Sequence, residues 1–287
     1  MTAILSIQSH VSFGHVGNSA AVFPLQRLGF EVWPVHTVLF SNHTGYGAWR
    51  GEGMRPELVA DIIQGIEERG QLASCAAILT GYLGDATLGA VVLDTVAKIR
   101  ALNPKAVWVC DPVMGDIGRG LFVRDGIPDF FRDRALPATD ILTPNRFELE
   151  VLTGRTVRSL DDALAAARSL VARGPGVVLV TSLDRTERAP DTIEMLAVSA
   201  SEAWLIATPE VPMAIAANGS GDATAALFAG HWLKTGGYLK ATLEGAAEGI
   251  FAIFEATSDA GTRELALIAA QDRLVDPVHR FLARRAD

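Results

Sequence analysis

One glycine-rich segment of the sequence has the residue types that phosphoryl transfer requires. Residues 218–222 read Asn-Gly-Ser-Gly-Asp and precede the run Ala-Thr-Ala-Ala-Leu. Gly219 and Gly221 would let the backbone approach a ligand closely, and a helix that begins here would direct its free N–H groups and its dipole at an anion. Asp222, in the first turn, could accept a hydroxyl proton beside that anion. A glycine-rich turn before a buried helix, capped by an aspartate, explains this segment alone equally well.

A second candidate is Asp111, which directly follows an apolar run at residues 106–110. A carboxylate at the end of a buried strand loses hydration unless it meets a cation or hydrogen-bond donors. A Mg²⁺ ion that bridges nucleotide phosphates through its waters would satisfy it. The alternative is that Asp111 caps a helix or a turn.

Asn145 and Glu148 form a third candidate site. Pro144 ends the strand that reaches Thr143, and Asn145 and Glu148 then lie one helical turn apart on one face. The pair could hold water bound to a metal ion. Since the spacing is also close to that of a capping box, a purely structural role stays open.

The elements that would position these residues alternate along the chain. Apolar, strand-like runs occupy residues 3–7, 31–40, 76–80, 106–110, 141–143 and 177–181. Helical patterns occupy residues 18–28, 56–69, 86–102 and 160–171, and most of 222–282. Residues 194–198 and 203–207 are predicted to pair as two strands. Buried strands joined by helices predict an α/β fold, a mostly parallel sheet covered on both faces, in a single domain over residues 1–287.

Polar residues gather where the predicted strands end, which is where such sheets bind ligands. They include Ser9, the segment Ser-Asn-His-Thr at 41–44, Tyr82, Asp111, Asn145, Glu148, Thr181 and Ser182. The sequence therefore predicts one crevice along this edge of the sheet.

Composition limits the classes of function. The formal net charge is −8, which argues against a nucleic-acid or anionic membrane partner. There is no basic leader before an apolar segment and no apolar run long enough to span a bilayer, so a cytoplasmic location is expected. Cys75 and Cys110 lie in apolar runs and are predicted to be buried, reduced thiols. Walker-type, zinc-finger and Gly-x-Ser-x-Gly spacings are missing from the sequence.

The ordered series of segments resembles the pyridoxal kinases of the ribokinase-like superfamily. It comprises Ser-Ile-Gln-Ser-His-Val at 6–11, Gly-Asn at 17–18, Phe-Ser-Asn-His-Thr-Gly-Tyr at 40–46, Thr-Gly-Tyr at 80–82, Asp-Pro-Val-Met-Gly-Asp at 111–116, Thr-Pro-Asn at 143–145 and the segment at 218–222. The resemblance runs from about residue 3 to about residue 282. It implies a three-layer sandwich, MgATP as phosphoryl donor, a B6 vitamer as acceptor, and a homodimer.

The resemblance also implies roles for the acceptor side of the site. Asp222 would be the base that takes the proton from the 5′-hydroxyl of pyridoxal. Ser9 would hydrogen-bond the pyridine-nitrogen side of the ring, Thr44 and Gly45 would line the ring pocket, and Tyr82 would pack on the ring.

On the donor side, the backbone of Gly219, Ser220 and Gly221 would hold the transferring phosphoryl group. The residues expected to face ATP phosphates and Mg²⁺ are Asp111, Thr143 and Glu148, with Asn145 and Asp116 in support and Asp111 and Glu148 nearest the metal. Thr181 and Ser182 would contact phosphate oxygens. The nucleotide base would lie along Thr208, Pro209, Glu210 and Val211, and residues 116–124 would form a lid that excludes water.

Some residues depart from the family pattern, and other functions stay open. Ser220 stands where many relatives have threonine, Phe122 stands where some have a lid tyrosine, and only Pro209 and Val211 are typical of the base-binding segment. A hydroxymethylpyrimidine kinase is the nearest alternative, because it also phosphorylates a hydroxymethyl group on a nitrogen heterocycle. A B6-vitamer carrier that barely turns over is the alternative from another class.

Overall fold

The computed structural model describes residues 2–213, 215, 217–278 and 280–287. Its strands are β1 (Ala3–Val11), β2 (Glu31–Phe40), β3 (Gly51–Gly53), β4 (Cys75–Thr80), β5 (Val107–Cys110), β6 (Gly115–Asp116), β7 (Gly120–Leu121), β8 (Ile141–Leu142), β9 (Val177–Val180), β10 (Thr192–Ser199), β11 (Ala203–Pro209) and β12 (Arg284–Arg285). Its α-helices are α1 (Asn18–Arg27), α2 (Pro56–Glu68), α3 (Leu88–Leu102), α4 (Ile127–Phe130), α5 (Arg146–Thr153), α6 (Leu160–Val171), α7 (Ser220–Thr235), α8 (Leu239–Asp259) and α9 (Leu267–Ala270).

Ten strands form one sheet in the order β12-β11-β10-β9-β8-β5-β4-β1-β2-β3. The six central strands, β2, β1, β4, β5, β8 and β9, are parallel to one another. β10, β11 and β12 extend the sheet in antiparallel fashion at one side, and β3 pairs antiparallel with β2 at the other. The predicted mostly parallel sheet and the predicted pairing of β10 with β11 are both confirmed.

Side chains on successive strand residues enter two separate cores, one on each face of the sheet. Leu5 and Trp108 pack into one core with apolar residues of α2, α3, α5 and α6. Their neighbours Ile4 and Val109 pack into the other core with residues of α1, α7, α8 and α9. Because both faces of these strands are buried, the strands appear in the sequence as continuous apolar runs. The predicted three-layer α/β sandwich is confirmed.

Most element boundaries lie close to those predicted from the sequence. α3 begins at Leu88 rather than at residue 86, because Asp85 holds a turn by accepting hydrogen bonds from the backbone N–H and the hydroxyl of Thr87 at 3.0 and 2.7 Å. The last third is mostly helical as expected, although His279 lies outside the described residues. Both cysteines are buried free thiols, as predicted. Within the described ranges, no helix combines the length and apolar character needed to cross a membrane.

Candidate active site

A cavity of about 410 Å³ opens where the parallel strands end. The predicted site residues that line it are Ser9, Thr44, Tyr82, Asp111, Asp116, Asn145, Glu148, Thr181, Ser182, Thr208, Gly219, Ser220, Gly221 and Asp222. Residues from both ends of the chain are thus brought to one edge of the sheet, where the sequence predicted a single crevice. Five other predicted residues lie outside the lining, namely Gly45, Thr143, Pro209, Glu210 and Val211.

The glycine-rich segment forms the start of α7, which points into this cavity. Gly219 precedes the helix with φ +84°, and a Cβ added there would lie 1.8 Å from the carbonyl oxygen of His15. Only glycine fits this position, because both the backbone angle and the space exclude a side chain. The close contact places the free N–H groups of the first helical turn at the cavity wall, where they can bind an anion.

Asp222 lies in the first turn of α7 with its carboxyl group in the same cavity. Burial raises the pKa of this carboxyl to about 6, against hydrogen bonds from the backbone N–H of Gly17 and its own N–H, which lower the pKa. A carboxyl group with this pKa is mostly ionised at neutral pH, and it is also a stronger base than an exposed aspartate. Asp222 is therefore equipped to accept a proton from a bound alcohol.

Asp111 and Glu148 are buried carboxyl groups, 5 % and 3 % exposed. Burial, the charge of Glu148 and then the charge of Asp222 raise the pKa of Asp111 well above its usual value, whereas a hydrogen bond from the Thr143 hydroxyl at 3.2 Å lowers it. Burial also raises the pKa of Glu148 to about 8. Thr143 therefore contacts the site through Asp111, although it does not line the cavity.

Glu148 and Asn145 also form the capping box of α5, one of the two roles that the sequence left open. The Glu148 carboxylate accepts hydrogen bonds from the backbone N–H groups of Asn145 and Met114, both at 2.9 Å. The Asn145 side chain in turn accepts from the N–H of Glu148 at 2.9 Å. Capping explains the position of both residues, but burial still disfavours the ionised form of the Asp111 and Glu148 carboxyl groups.

A divalent cation fits these two carboxyl groups, because a nearby positive charge favours their ionised form. Among the described residues, neither Asp111 nor Glu148 is paired with a lysine or arginine. The same part of the chain has no group of three His, Cys, Asp or Glu side chains arranged to hold a metal ion alone. Mg²⁺ commonly binds through one or two carboxylates and completes its shell with water and substrate phosphates. Asp111 and Glu148 are the residues that would hold it.

Ser9, in β1, and Thr44 and Tyr82, in the loops after β2 and β4, line the part of the cavity beside these three neighbouring strands. Gly17, with φ +55°, lets the loop after β1 pass over Ser9, since an added Cβ would lie 2.2 Å from the Ser9 carbonyl oxygen. The Thr37 hydroxyl donates to the Tyr82 carbonyl at 2.6 Å and thereby fixes the backbone that carries the ring. Gly45 is exposed beside this part of the cavity.

Thr181, Ser182 and Thr208 line the opposite end of the cavity. The backbone N–H of Thr181 donates to the Pro144 carbonyl at 3.0 Å, so the end of β9 is joined to the start of α5. Pro209 and Glu210 follow at the exposed end of β11. Of the four residues predicted to lie along a nucleotide base, the structure thus brings only Thr208 into the lining.

Several lining residues were given no individual binding or catalytic role from the sequence, although Arg119 and Phe122 fall in the predicted lid at 116–124. They are Val11, Val16, Val38, Phe40, His43, Val113, Gly115, Arg119, Phe122, Ile193, Met195, Ala217, Asn218, Thr224, Ile250 and Phe254. His43, Arg119 and Asn218 lie within or beside the recognised segments, so proximity in sequence was the available signal. The apolar residues of β10 and α8 gave no signal, because their types do not distinguish a cavity wall from a core.

A mostly parallel sheet between two layers of helices, with a glycine-rich helix start beside a carboxylate of raised pKa, is the arrangement of the ribokinase-like kinases. The sequence model of the phosphomethylpyrimidine kinase family matches residues 35–266. The chain is 56 % identical to pyridoxal kinase PdxY of Rubrobacter xylanophilus, over 98 % of this chain and 97 % of that protein. It is 51 % identical to pyridoxal kinase PdxY of Deinococcus radiodurans, over 99 % and 96 %.

A solved structure shows the same fold. Pyridoxal kinase of Leishmania donovani, in complex with ADP and pyridoxamine, superimposes with a TM-score of 0.91 at 31 % sequence identity, and 99 % of each chain is covered. The chain therefore belongs to the phosphomethylpyrimidine kinase family and, within it, to the pyridoxal kinases.

Proposed function

We propose that this protein transfers the γ-phosphoryl group of ATP to the 5′-hydroxyl of pyridoxal and forms pyridoxal 5′-phosphate. One observation carries the proposal: Asp222 and the glycine start of α7 share a single cavity with Ser9, Thr44 and Tyr82. An anion site, a base and a pocket for a ring are thus adjacent. The pyridoxal kinase relatives support the same reaction.

In the proposed reaction, the Asp222 carboxylate accepts the proton of the 5′-hydroxyl as the hydroxyl oxygen attacks the γ-phosphorus. A new P–O bond forms at the acceptor, the bond between the γ-phosphorus and the β-phosphate oxygen breaks, and ADP leaves with that electron pair. The N–H groups of Gly219, Ser220 and Gly221 would stabilise the charge on the moving phosphoryl group, because preorganised donors act strongly in a desolvated site.

We propose that the donor phosphates lie between α7 and the start of α5. Thr181 and Ser182 would contact phosphate oxygens, with Asn145 and Asp116 in support and the base beyond Thr208. Asp111, oriented by Thr143, and Glu148 would hold Mg²⁺. When bound, Mg²⁺ would supply positive charge that neutralises the phosphates in this acidic cavity.

At the acceptor end, Ser9 would hydrogen-bond the nitrogen side of the ring, Thr44 would line the ring pocket and Tyr82 would pack on the ring. Gly45, which is exposed and lies outside the cavity lining, would support this pocket from behind Thr44. The lid at residues 116–124 would close over the bound vitamer and exclude water.

The reaction is tested by measuring ATP-dependent formation of pyridoxal 5′-phosphate, with Asp222→Asn as the matched inactive control. Pyridoxal, pyridoxine, pyridoxamine and hydroxymethylpyrimidine are compared as acceptors at equal concentration. We expect pyridoxal to turn over with a higher kcat/KM than the pyrimidine, because Ser9 and Thr44 lie in the acceptor pocket. Faster turnover of the pyrimidine would replace the proposal with the hydroxymethylpyrimidine kinase alternative, to which the family match also points.

The carrier alternative is separated by the same measurement. A carrier would bind pyridoxal while the wild type and Asp222→Asn showed equal, negligible turnover.

The single domain over residues 1–287, the homodimer and the cytoplasmic location also stay proposals. Light scattering of the purified protein would test the homodimer directly, and a monomeric mass would contradict it.

A further inference from the structure

Acidic side chains outnumber basic ones in the lining of the active-site cavity. Four carboxyl side chains line it, from Asp111, Asp116, Glu148 and Asp222. Arg119 is the only lysine or arginine among the described residues that line it. The proposed donor brings further negative charge, so Arg119 carries the one guanidinium among the described lining residues of a site that must stabilise a migrating anion.

Arg119 lies at the tip of the hairpin formed by β6 and β7. The base of the hairpin is fixed, since the Asn145 side-chain amide donates to the Gly115 carbonyl at 2.9 Å and the N–H of Phe122 donates to the Met114 carbonyl at 3.0 Å. At the tip, Gly118 and Gly120 have φ values of +79° and +68°. The hairpin is therefore anchored at the residues proposed to face the phosphates, while its tip contains glycines that allow the backbone to change conformation.

The guanidinium of Arg119 has no carboxylate within ion-pair distance in the part of the chain that the structure describes. It lies over the ring of Phe122, with its central carbon 5.0 Å from the ring centroid. Burial lowers the pKa of the His43 imidazole, and the charge of Arg119 lowers it further, so the guanidinium lies near this second lining residue. Arg119 thus faces the cavity without the bidentate anionic partner that a guanidinium binds most strongly.

The apolar side chains around Arg119 also indicate that the hairpin tip is open. Ile117, Leu121 and Phe122 are 44 %, 52 % and 41 % exposed. Closure of the tip onto bound ligands would cover this apolar surface, and burial of apolar surface favours the closed arrangement. The same movement would carry Arg119 toward the phosphoryl group.

We propose that Arg119 is a catalytic residue whose guanidinium binds the non-bridging oxygens of the transferring phosphoryl group when the hairpin closes. This inference rests on the proposed phosphorylation of pyridoxal. The bond to the β-phosphate oxygen breaks, the bond to the 5′-oxygen forms and the proton goes to Asp222, while Arg119 stabilises the charge on the group in transit. An arginine supplied in this way within the same chain would act as an internal arginine finger.

The test compares Arg119→Gln and Arg119→Lys with the wild type in steady-state assays of pyridoxal phosphorylation. Arg155→Ala is the matched control, since Arg155 is exposed beyond the end of α5 and outside the cavity lining. We expect Arg119→Gln to lower kcat about 10²-fold or more with little change in either KM. Arg119→Lys should recover part of the loss, and Arg155→Ala should match the wild type.

A second measurement does not depend on turnover. ADP with aluminium fluoride and pyridoxal mimics the transferring group, and transition-state mimics report interactions that the ground state lacks. Arg119→Gln should weaken binding of this combination while leaving the affinity for ADP alone unchanged. Equal binding of the mimic by both proteins would refute the proposal.

The remaining outcomes of the steady-state assays also test the proposed role of Arg119. A raised KM for pyridoxal with unchanged kcat would show that Arg119 holds the acceptor in its ground state, and would overturn a role in the transition state. Arg119 variants with wild-type kcat would refute the role of Arg119 but leave the proposed function standing. A wild type that phosphorylates no pyridoxal would instead refute the proposed function, and the role of Arg119 with it.

Discussion

At the residue scale, Asp222 combines a position beside an anion site with a raised pKa. The Asp222→Asn change keeps the shape of the side chain but removes the proton acceptor. We expect kcat for pyridoxal phosphorylation to fall about 10²-fold or more, within the range that loss of a general base causes. Retained ADP affinity in the variant would show that the fold and the donor site are intact, and wild-type turnover would exclude Asp222 as the base.

The pKa of Asp222 also sets the expected pH dependence. Burial raises this pKa to about 6, and only the ionised form can accept a proton. Activity should therefore be present above about pH 6 and decline as the pH falls through that value, by about tenfold per pH unit at the acid end. The pH profile of kcat/KM tests this, and a flat profile from about pH 5 to about pH 7 would contradict it.

Sequence reasoning reached some of these residues and missed others for physical reasons. The loop at 218–222 was predictable because its glycines and the following helix act locally. Asn145 and Glu148 were ambiguous because one spacing suits both a helix cap and a ligand pair, and the structure shows the capping bonds. Arg119 was placed in the predicted lid at 116–124 but given no role of its own, since nothing local in the sequence tells which side chain of a hairpin tip faces the site.

At the scale of elements, the turn after α8 holds together the loops at the acceptor end. Glu264 accepts hydrogen bonds from the His15 backbone N–H at 2.9 Å and from the Tyr46 hydroxyl at 2.6 Å. Arg263 donates to the Gly45 carbonyl at 2.9 Å, and its guanidinium carbon lies 4.2 Å from the Tyr46 ring centroid. These contacts join the loop after β1 to the loop after β2, so they support the position of Thr44.

Removal of the Glu264 contacts should weaken binding of the acceptor more than it slows the phosphoryl-transfer step. We expect Glu264→Ala to raise KM for pyridoxal about 10-fold while kcat changes less, because the two hydrogen bonds position the loops rather than the reacting groups. Tyr46→Phe, which removes one of the two bonds, should give a smaller increase. If kcat falls as steeply as kcat/KM in Glu264→Ala, the connection acts on the reacting groups rather than on the pocket.

The elements themselves were predicted with uneven success. Long apolar runs such as β1 and β2 and the patterned helix α6 were recognisable, because their side chains repeat with the period of the element. The edge strands β3 and β12 have two or three residues each and carry no such period. Their pairing depends on neighbours that are distant in sequence, as does the packing of β10 and α8 against the cavity.

At the scale of the whole molecule, the sheet has a parallel part that ends at β9 and an antiparallel extension that begins at β10. β8 pairs with β9 through two residues only, Ile141 with Val177 and Leu142 with Val178. Just beyond this point, Arg185 and Glu194 form a bidentate ion pair at 2.7 and 2.8 Å, with side chains 9 % and 5 % exposed. The pair fixes the loop after Ser182 to β10.

Loss of one partner of this pair should destabilise the protein. We expect Glu194→Ala to lower the free energy of unfolding by about 3 kcal/mol, because the Arg185 charge is left buried and unpaired. Glu67→Ala is the control, since its exposed pair with Lys98 should contribute about 1 kcal/mol or less. Urea unfolding measures both, and equal midpoints for the two variants would contradict the expectation.

The contact of Glu264 with Tyr46 spans 218 positions of the chain, and this has a consequence for biosynthesis. While a ribosome is still translating the last third of the message, the emerging polypeptide contains Ser9 and Thr44 but not yet the segment that secures their loops. Vitamer affinity should therefore arise late and abruptly during translation. Stalled nascent chains that stop before residue 263 should bind pyridoxal more weakly than the finished chain does.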